Sequence, residues 1–329
     1  MSYTGTRVLV TGGGGFIGSH LVEALVGSGA RVTALLRYNS RRDAGNLAFL
    51  DREVLAGVEL AFGDVRDAAL VRRLTTGHEV VFHLAALIGI PYSYHAPQSY
   101  VDTNVAGTLN VAQAALDAGV RRFVHVSTSE VYGTAQYVPM DERHPLQAQS
   151  PYAASKIGGE SLALSYSASF GLPVAVVRPF NTFGPRQSRR AVIPAILSQL
   201  VRRTAVLRIG APAPRRDFTY VEDTVRGLLD VGAAPEAVGA VTNLGSGREV
   251  SIADLAAQCC ELVGHRPPIE TDPVRMRPEQ GEVMRLLCDN ARAARIAGWQ
   301  PRWSLRDGLA ATLAFVERHA RDDGDEYVL

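Results

Sequence analysis

The stretch that decides the fold lies near the N-terminus and reads Thr11-Gly12-Gly13-Gly14-Gly15-Phe16-Ile17-Gly18. It follows an apolar run, Arg7–Thr11, that predicts a buried strand, and it opens a segment with helical periodicity, Ile17–Val26. Glycines at positions 12, 15 and 18 allow a tight turn, the close approach of a pyrophosphate, and close helix–strand packing. The start of the helix offers unpaired N–H groups to phosphates. The stretch therefore predicts a dinucleotide-binding turn, in which Phe16 and Ile17 line the cofactor together with the three glycines.

The rest of the first half alternates strand-like apolar runs with helical segments. Further strands are predicted at Arg31–Leu36, Val58–Phe62, Val80–Leu84, Phe123–Ser127, Val174–Arg178 and Val241–Gly245. Further helices are predicted at Ala68–Leu74, Val105–Ala118 and Pro151–Phe170, and Ser251 is predicted to cap another that runs to about Val263. Continuous apolar strands between helices predict an α/β fold, a Rossmann-like doubly wound parallel sheet covered on both faces.

The sequence pattern changes after Pro179, where glycines and prolines separate shorter predicted segments. A smaller substrate domain, interleaved with the sheet domain, is therefore predicted in the C-terminal part. We assign residues 1–178 and about 216–247 to the dinucleotide-binding domain. Residues 179–215 and 248–329 are assigned to the substrate domain.

Composition narrows the classes of partner. The 329 residues include 34 Lys and Arg against 33 Asp and Glu, a net charge of +1, so nothing favours nucleic acid or an anionic membrane as partner. The three cysteines form no disulfide framework, no histidine spacing suits a metal, and no run approaches the roughly 20 apolar residues of a membrane span. With no signal-peptide pattern at the N-terminus, a cytoplasmic protein without a metal is expected.

Residues after the second, third and fourth strands are candidates for the remaining cofactor contacts. The second strand ends at Arg37 and not at an Asp or Glu. Arg37 could bind a 2′-phosphate, stack on adenine or face water. The cofactor prediction is therefore NAD or NADP. Asp64 and Val65 follow the third strand, where Asp64 suits either the adenine side or the entry to a helix. Small residues end the fourth strand in Leu84-Ala85-Ala86 and let a cofactor pass close by.

Two polar clusters are candidates for catalysis. Tyr152 and Lys156 are spaced i and i+4 and so share one face of the predicted helix. A free phenol has a pKa of about 10, and a nearby ammonium favours the phenolate, so Tyr152 is predicted as an acid/base for a carbinol. Thr128, Ser129 and Glu130 follow the fifth strand and add a carboxylate to this site. Tyrosine and lysine predict hydride transfer at an alcohol, and the carboxylate indicates a further step.

Taken together, these motifs resemble the extended short-chain dehydrogenase/reductase family over nearly the whole chain. Later motifs match as well: Arg178–Pro185, Arg215–Asp223 and Arg275–Pro278 resemble the family's nucleotide-sugar segments. The resemblance implies a nucleotide sugar as substrate, a homodimer formed through the helices that begin near Val105 and Pro151, and a tightly bound cofactor that is recycled within each turnover. With the runs Ile90–Tyr94, Pro179–Ser188 and Ala191–Pro194, the resemblance implies substrate contacts by Ser93, Asn181, Val192, Arg216 and Arg277.

Members of this family oxidise C4 of a nucleotide-bound hexose and then diverge. The Ser-Thr-Ser-Glu sequence of residues 127–130 resembles the 4,6-dehydratases and uronate decarboxylases rather than the simple 4-epimerases. Many dTDP-glucose dehydratases carry Asp-Glu here, so Ser129-Glu130 leaves Glu130 to serve both as base at C5 and as acid at C6. The runs Ile90–Tyr94, Pro179–Ser188 and Ala191–Pro194 resemble UDP-N-acetylglucosamine 4,6-dehydratases of the legionaminic-acid type. A 4,6-dehydratase is predicted; a 4-epimerase, a uronate decarboxylase and a non-catalytic dinucleotide sensor remain as alternatives.

Overall fold

The computed structural model describes residues 2–319 and has a seven-stranded parallel sheet at its centre, in the order β11-β6-β5-β4-β1-β2-β3. The sheet strands are β1 (Arg7–Thr11), β2 (Arg31–Arg37), β3 (Val58–Gly63), β4 (Val80–His83), β5 (Arg122–Val126), β6 (Val174–Pro179) and β11 (Ala240–Leu244). Every predicted strand is present to within a residue at either end. The order reverses between β1 and β4, as in a doubly wound Rossmann-like sheet, and the predicted fold class is confirmed.

Helices cover both faces of this sheet and also build the C-terminal part. They are α1 (Phe16–Gly27), α2 (Arg52–Ala56), α3 (Ala68–Thr75), α4 (Ile90–His95), α5 (Pro97–Tyr100), α6 (Gly107–Asp117), α7 (Pro151–Phe170), α8 (Val192–Val201), α9 (Val221–Ala233), α10 (Ile252–Val263), α11 (Ala291–Ala297) and α12 (Leu305–Arg318). The predicted helix Val105–Ala118 differs, because its first turn belongs to a π-helical segment, Val101–Ala106, that precedes α6. The helices α2, α4, α5, α8, α9, α11 and α12 have no counterpart among the predicted elements.

The core consists of two apolar layers, one on each face of the sheet. Alternate residues of β1 point to opposite layers: Val8 and Val10 pack with α1 and α9, whereas Leu9 packs with α3, α6 and α7. Strands that are buried on both faces must be apolar throughout, which is why they read as continuous apolar runs. The rigid sheet that results fixes the positions of the loops at its C-terminal edge.

Three short two-stranded ribbons flank the central sheet. In each ribbon the strands come from different parts of the C-terminal half: β7 (Thr182–Phe183) pairs with β10 (Thr219–Tyr220), β8 (Leu207–Ile209) with β13 (Ile269–Thr271), and β9 (Arg215–Asp217) with β12 (Glu249–Ser251). The predicted boundary between two domains remains a prediction, and residues 320–329 of the predicted substrate domain lie outside the described residues.

Two features are absent from residues 2–319, the part of the chain that the structure describes. No helix there is long and apolar enough to cross a bilayer. No group of three or more His, Cys, Asp and Glu side chains within the same range is arranged to hold a metal ion.

Candidate active site

A cavity of about 720 Å³ runs along the C-terminal edge of the sheet. Residues that follow six of the seven sheet strands line it, which is the usual place for a ligand in an open α/β sheet. All the predicted cofactor residues meet there: Gly12, Gly15, Phe16, Ile17, Gly18, Arg37, Asp64, Val65, Leu84, Ala85, Ala86, Tyr152 and Lys156. All five predicted catalytic residues line the same cavity, namely Thr128, Ser129, Glu130, Tyr152 and Lys156.

The backbone of the glycine turn packs so closely that side chains are excluded, and the turn leaves the start of α1 open to a dinucleotide. Gly12 has φ 73°, and a Cβ there would lie 2.8 Å from the amide nitrogen of Ala85. A Cβ on Gly18 would lie 2.2 Å from the carbonyl oxygen of Gly12. Helix α1 begins directly after Gly15, and no side chain caps it. Its first N–H groups therefore remain available to phosphate oxygens at the cavity wall.

Buried polar side chains brace the loop that follows β4. His83 is packed in the strand, where its ring contacts the hydroxyl of Thr11 at 2.8 Å and that of Thr108 at 3.0 Å. Burial lowers the pKa of His83 to about 3, so the ring is neutral. Asn104 accepts a hydrogen bond from the backbone N–H of Leu87 at 2.8 Å and donates one to its carbonyl at 3.0 Å. His83 thus ties two threonine side chains together, and Asn104 holds the backbone of Leu87 in place.

The far end of the cavity carries Arg37 and Asp64. Arg37 is exposed at the end of β2 and lines the cavity. Asp64 forms an ion pair with Arg66 at 2.6 Å, and this hydrogen bond is the main cause that lowers the pKa of the Asp64 carboxyl. The start of α3 is capped by Asp67, whose side chain accepts from the N–H of Leu70. Asp64 therefore lies at the cavity edge and not at the cap of the helix.

Tyr152 and Lys156 project from one face of α7, whose start is set by Ser150 at the N-cap and Pro151 in the first turn. Both side chains are buried. Burial raises the pKa of the Tyr152 phenol well above its ordinary value, and a hydrogen bond with Thr128 opposes that rise. Burial, and not the charge of Lys156, dominates the pKa of Tyr152 here, and the ammonium donates to a backbone carbonyl.

That carbonyl belongs to Val126, the last residue of β5, and accepts from Nζ of Lys156 at 2.7 Å. Burial lowers the pKa of Lys156 to about 8, against the opposing charge of Glu160. Glu160 in turn pairs with the guanidinium of Arg178, and both side chains are buried. The ammonium is thus held by a hydrogen bond at the end of the strand that leads into the catalytic loop.

Glu130 lies in a short 3₁₀ turn, Ser129–Tyr132, that follows β5 directly. The hydroxyl of Thr128 accepts from the backbone N–H of Glu130 at 3.2 Å and so caps this turn. The turn ends at Gly133, whose φ of 65° favours glycine. Glu130 is 8% exposed and lines the cavity beside Thr128 and Tyr152.

Two of the predicted substrate arginines meet a carboxylate that sequence reasoning missed. Glu282 accepts from Nη2 of Arg216 at 2.9 Å and lies 3.8 Å from Nη1 of Arg277. Arg277 also lies 3.7 Å from Oε2 of Glu130 and lines the cavity. Burial lowers the pKa of Arg216, although the charge of Glu130 opposes that shift. Nothing in the spacing of Glu282 marks it, because its partners come from separate segments of the chain.

Of the other three predicted substrate residues, Asn181 lines the cavity, whereas Ser93 and Val192 do not. Asn181 lines the cavity, and its side-chain oxygen is buried without a hydrogen-bond partner in the structure. Ser93 is fully buried and donates to the carbonyl of Ile90 at 2.7 Å, outside the cavity lining. Val192 starts α8 and packs against the core rather than the cavity. The structure therefore brings Asn181 and Arg277 to the cavity, keeps Arg216 next to Arg277, and leaves Ser93 and Val192 apart.

The fold and the site define the class of protein: a Rossmann-like sheet, a glycine turn after β1, and a tyrosine and lysine beside Thr128 are those of the extended short-chain dehydrogenase/reductases. Residues 9–312 match the GDP-mannose 4,6 dehydratase family. The chain belongs to this family and is an enzyme of the NAD-dependent epimerase/dehydratase group of extended short-chain dehydrogenase/reductases. The predicted family membership is confirmed.

The individual relatives include 4,6-dehydratases and 4-epimerases. The chain is 37% identical over 319 residues to a dTDP-glucose 4,6-dehydratase from Streptomyces griseus, with 95% of each chain covered. It is 36% identical over 320 residues to a UDP-glucose 4-epimerase from Mycolicibacterium smegmatis, covering 96% of this chain and 100% of the epimerase. The crystal structure of a dTDP-glucose 4,6-dehydratase double mutant from Streptomyces venezuelae, solved with NAD bound, superposes with a TM-score of 0.87 at 32% identity, covering 95% and 98% of the two chains.

Proposed function

We propose that this enzyme is a nucleotide-sugar 4,6-dehydratase that converts a nucleoside-diphosphate hexose to its 4-keto-6-deoxy form. One observation supports this more than any other: Glu130 shares the cavity with Tyr152 and Lys156 and lies next to Thr128. An epimerisation through a 4-keto sugar needs no carboxylate at this position. An elimination across C5 and C6 needs a base, and Glu130 supplies a carboxylate where a sugar beside Tyr152 would present its C5 proton.

The first step is oxidation at C4, for which NAD, when bound, supplies the hydride acceptor and later returns the hydride. Tyr152 takes the proton of the C4 hydroxyl, and Thr128 orients the C4 oxygen beside it. Lys156 stabilises the phenolate and holds a ribose hydroxyl of the cofactor. Because burial opposes the phenolate of Tyr152, proton removal depends on the ammonium of Lys156 coming close to the phenol oxygen once cofactor and substrate are bound.

The second step is the elimination itself. A C4 ketone acidifies the proton on C5, and Glu130 removes it as the general base. The hydroxyl of Ser129, which lines the same cavity, orients the C6 hydroxyl, and Glu130 returns its proton to that group as water leaves. Return of the hydride to C6 and of one proton to C5, equal to the proton that Tyr152 took from the C4 hydroxyl, completes the 4-keto-6-deoxy sugar. One carboxylate thus serves as base and then as acid, as the Ser129-Glu130 sequence predicts.

The substrate is a nucleotide sugar, and we place its diphosphate at Arg216 and Arg277 with Asn181 nearby. A guanidinium fork matches diphosphate oxygens, and the buried, unpartnered oxygen of Asn181 suits a hydroxyl of the substrate. UDP-N-acetylglucosamine is the substrate we propose first, on the likeness of Ile90–Tyr94 and Pro179–Ser188 to that enzyme type. UDP-glucose and dTDP-glucose follow.

The enzyme is further proposed to be a homodimer in the cytoplasm. The helical surface of the predicted interface exposes Val101 at 47% and Leu109 at 39%, which is apolar area that a partner helix would cover. Light scattering on the purified protein measures the mass. A monomeric mass would overturn the dimer, and Leu109→Glu should dissociate it if this surface is the interface.

A 4-epimerase is the second candidate, and one contact favours it. Nη1 of Arg277 lies 3.7 Å from Oε2 of Glu130, and a carboxylate that permanently faces a guanidinium would not be open to a sugar proton. Such a protein would oxidise C4, turn the 4-keto sugar over and reduce it again. The 36% identical epimerase shows that the same scaffold serves that reaction.

Mass spectrometry separates the candidates. The purified enzyme is incubated without added reductant with UDP-N-acetylglucosamine, UDP-glucose, dTDP-glucose, UDP-glucuronate and GDP-mannose. Loss of one water from a hexose substrate supports the dehydratase. An unchanged mass with a new stereoisomer identifies an epimerase, and loss of carbon dioxide from UDP-glucuronate identifies a decarboxylase. Tight binding of NAD without turnover of any of the five would support a sensor instead.

A further inference from the structure

Arg277 lies between two carboxylates that have different tasks. Its Nη1 atom is 3.7 Å from Oε2 of Glu130 and 3.8 Å from Oε1 of Glu282. Glu282 also binds Nη2 of Arg216 at 2.9 Å. These four charged side chains therefore form one cluster, with the proposed base at one end and a proposed diphosphate ligand at the other.

The cluster is shielded from water well enough for its charges to interact strongly. The side chains of Glu130 and Glu282 are 10% and 16% exposed, and that of Arg277 is 24% exposed. Ion pairs on an open surface contribute little, because solvent and salt screen them. In a partly buried cluster the effective dielectric constant is lower, and each pairing alters the energy of the others.

We propose that Arg277 exchanges the carboxylate of Glu130 for the diphosphate of the substrate, so that binding of the nucleotide activates the base. This inference rests on the proposed function of Glu130. A diphosphate offers a guanidinium two parallel charge-assisted hydrogen bonds, whereas the contact with Glu130 is a single ion pair at 3.7 Å, too long for a hydrogen bond. The diphosphate is therefore the stronger ligand for Arg277.

Withdrawal of Arg277 changes what Glu130 can do. A carboxylate oxygen that no longer faces a guanidinium is open to the C5 proton of the sugar. Glu282 and Arg216 remain paired during this exchange and keep Arg277 close to the diphosphate. Glu130 is thus restrained while the cavity lacks a nucleotide and is released when a sugar nucleotide occupies it. The 3.7 Å contact, which would favour an epimerase if it were permanent, becomes a feature of the dehydratase.

Calorimetry of nucleoside diphosphates tests the exchange without any turnover. UDP, dTDP, GDP and CDP are titrated into the enzyme as isolated, and the tightest binder is then titrated into Glu130→Gln, Arg277→Gln and the double variant. Glu130→Gln removes the competitor for Arg277, so it should tighten binding by about fivefold. In the Arg277→Gln background the same change should alter affinity by less than about twofold.

A matched control uses the neighbouring arginine of the same loop. Arg275 pairs with Asp272 at 3.0 Å, so in an Arg275→Gln background Glu130→Gln should still tighten binding by about fivefold. Thermal unfolding checks that each variant is folded. If Arg277→Gln does not fold, Arg277→Lys replaces it; Lys keeps the charge without the fork, so the gain from Glu130→Gln should be smaller than in the parent protein.

Three results would overturn the exchange: an equal gain from Glu130→Gln with and without Arg277, a loss of affinity in Glu130→Gln, or no binding of any of the four diphosphates. A different result addresses the proposed function alone. If the coupling is present but no substrate loses water, Arg277 is shared as proposed, and the enzyme is not a dehydratase.

Discussion

The ammonium of Lys156 donates a hydrogen bond of 2.7 Å to the carbonyl oxygen of Val126. This bond joins the second turn of α7 to the last residue of β5. Thr128 and Glu130 follow in the next turn of the chain, so the position of the lysine and that of the carboxylate are set by the same strand end. The site is therefore built on the rigid sheet, and its chemistry depends on how burial and charge act on each group.

The titration of Lys156 should appear in the pH dependence of stability. Its pKa is about 8 in the folded protein against an ordinary value of 10.5, because burial disfavours the charged form. Between these values the unfolded chain binds more protons, so the free energy of unfolding should rise with pH across this window, by up to ~3 kcal/mol. Urea unfolding of the parent protein and of Lys156→Met at pH 7.5 to 10.5 isolates the effect. A difference between them that does not change with pH would contradict the assignment.

Replacement of Glu130 by glutamine should separate the two halves of the reaction. Proton removal at C5 should slow by about 10²- to 10⁴-fold, since a general base is lost. Oxidation at C4 needs Tyr152 and Lys156 instead, and it should survive. Stopped-flow absorbance at the wavelength of reduced nicotinamide should show NADH formed and held, while mass spectrometry shows no loss of water. Loss of water at the parental rate would mean that another group is the base.

Gly18, in the first turn of α1, should not tolerate a side chain, whereas Gly27, in the last turn of α1, should tolerate one. A Cβ at position 18 would overlap the carbonyl oxygen of Gly12 at 2.2 Å, so Gly18→Ala should move the turn and weaken NAD binding more than tenfold, or about 1.4 kcal/mol. A Cβ at Gly27, in the last turn of α1, would meet no atom within 4 Å, and Gly27→Ala should add about 0.5–1 kcal/mol to the free energy of unfolding. Fluorescence titration with NADH and urea unfolding measure the two effects.

The success of the sequence in predicting the sheet has a physical basis. A strand buried on both faces must be apolar throughout, and α7 has unambiguous ends: Ser150 caps it, Pro151 opens it, and Gly171 closes it in the left-handed conformation. The C-terminal helices were missed for the opposite reason. Their stability comes from packing against distant segments, as where the indole N–H of Trp299 donates to the carbonyl of Asp223 in α9.

The same contrast holds within the site. The local spacing of the glycines, and that of Tyr152 and Lys156, predicts their roles, and all of these residues line one cavity. The pKa of Tyr152 and the contacts of Glu282 depend on burial and on chain segments far apart in sequence. No local pattern carries that information. Ser93 shows the converse, because it lies within a run that resembles a substrate-binding segment and yet packs into the interior.

The buried pair of Arg178 and Glu160 should be essential to stability rather than to chemistry. Both side chains are almost fully buried, and Arg178 also lies 4.7 Å from the ring centre of Tyr132. Glu160→Gln leaves a buried guanidinium without its counter-charge and should lower the free energy of unfolding by about 3–5 kcal/mol. The exposed pair of Arg72 and Asp117, 3.0 Å apart, provides the control: Asp117→Asn should unfold close to the parent in urea. If both variants lose the same free energy of unfolding, burial does not strengthen the contribution of the Arg178 pair to stability. If Glu160→Gln is stable but inactive, Glu160 acts instead through Lys156, because its charge opposes the lowering of the Lys156 pKa.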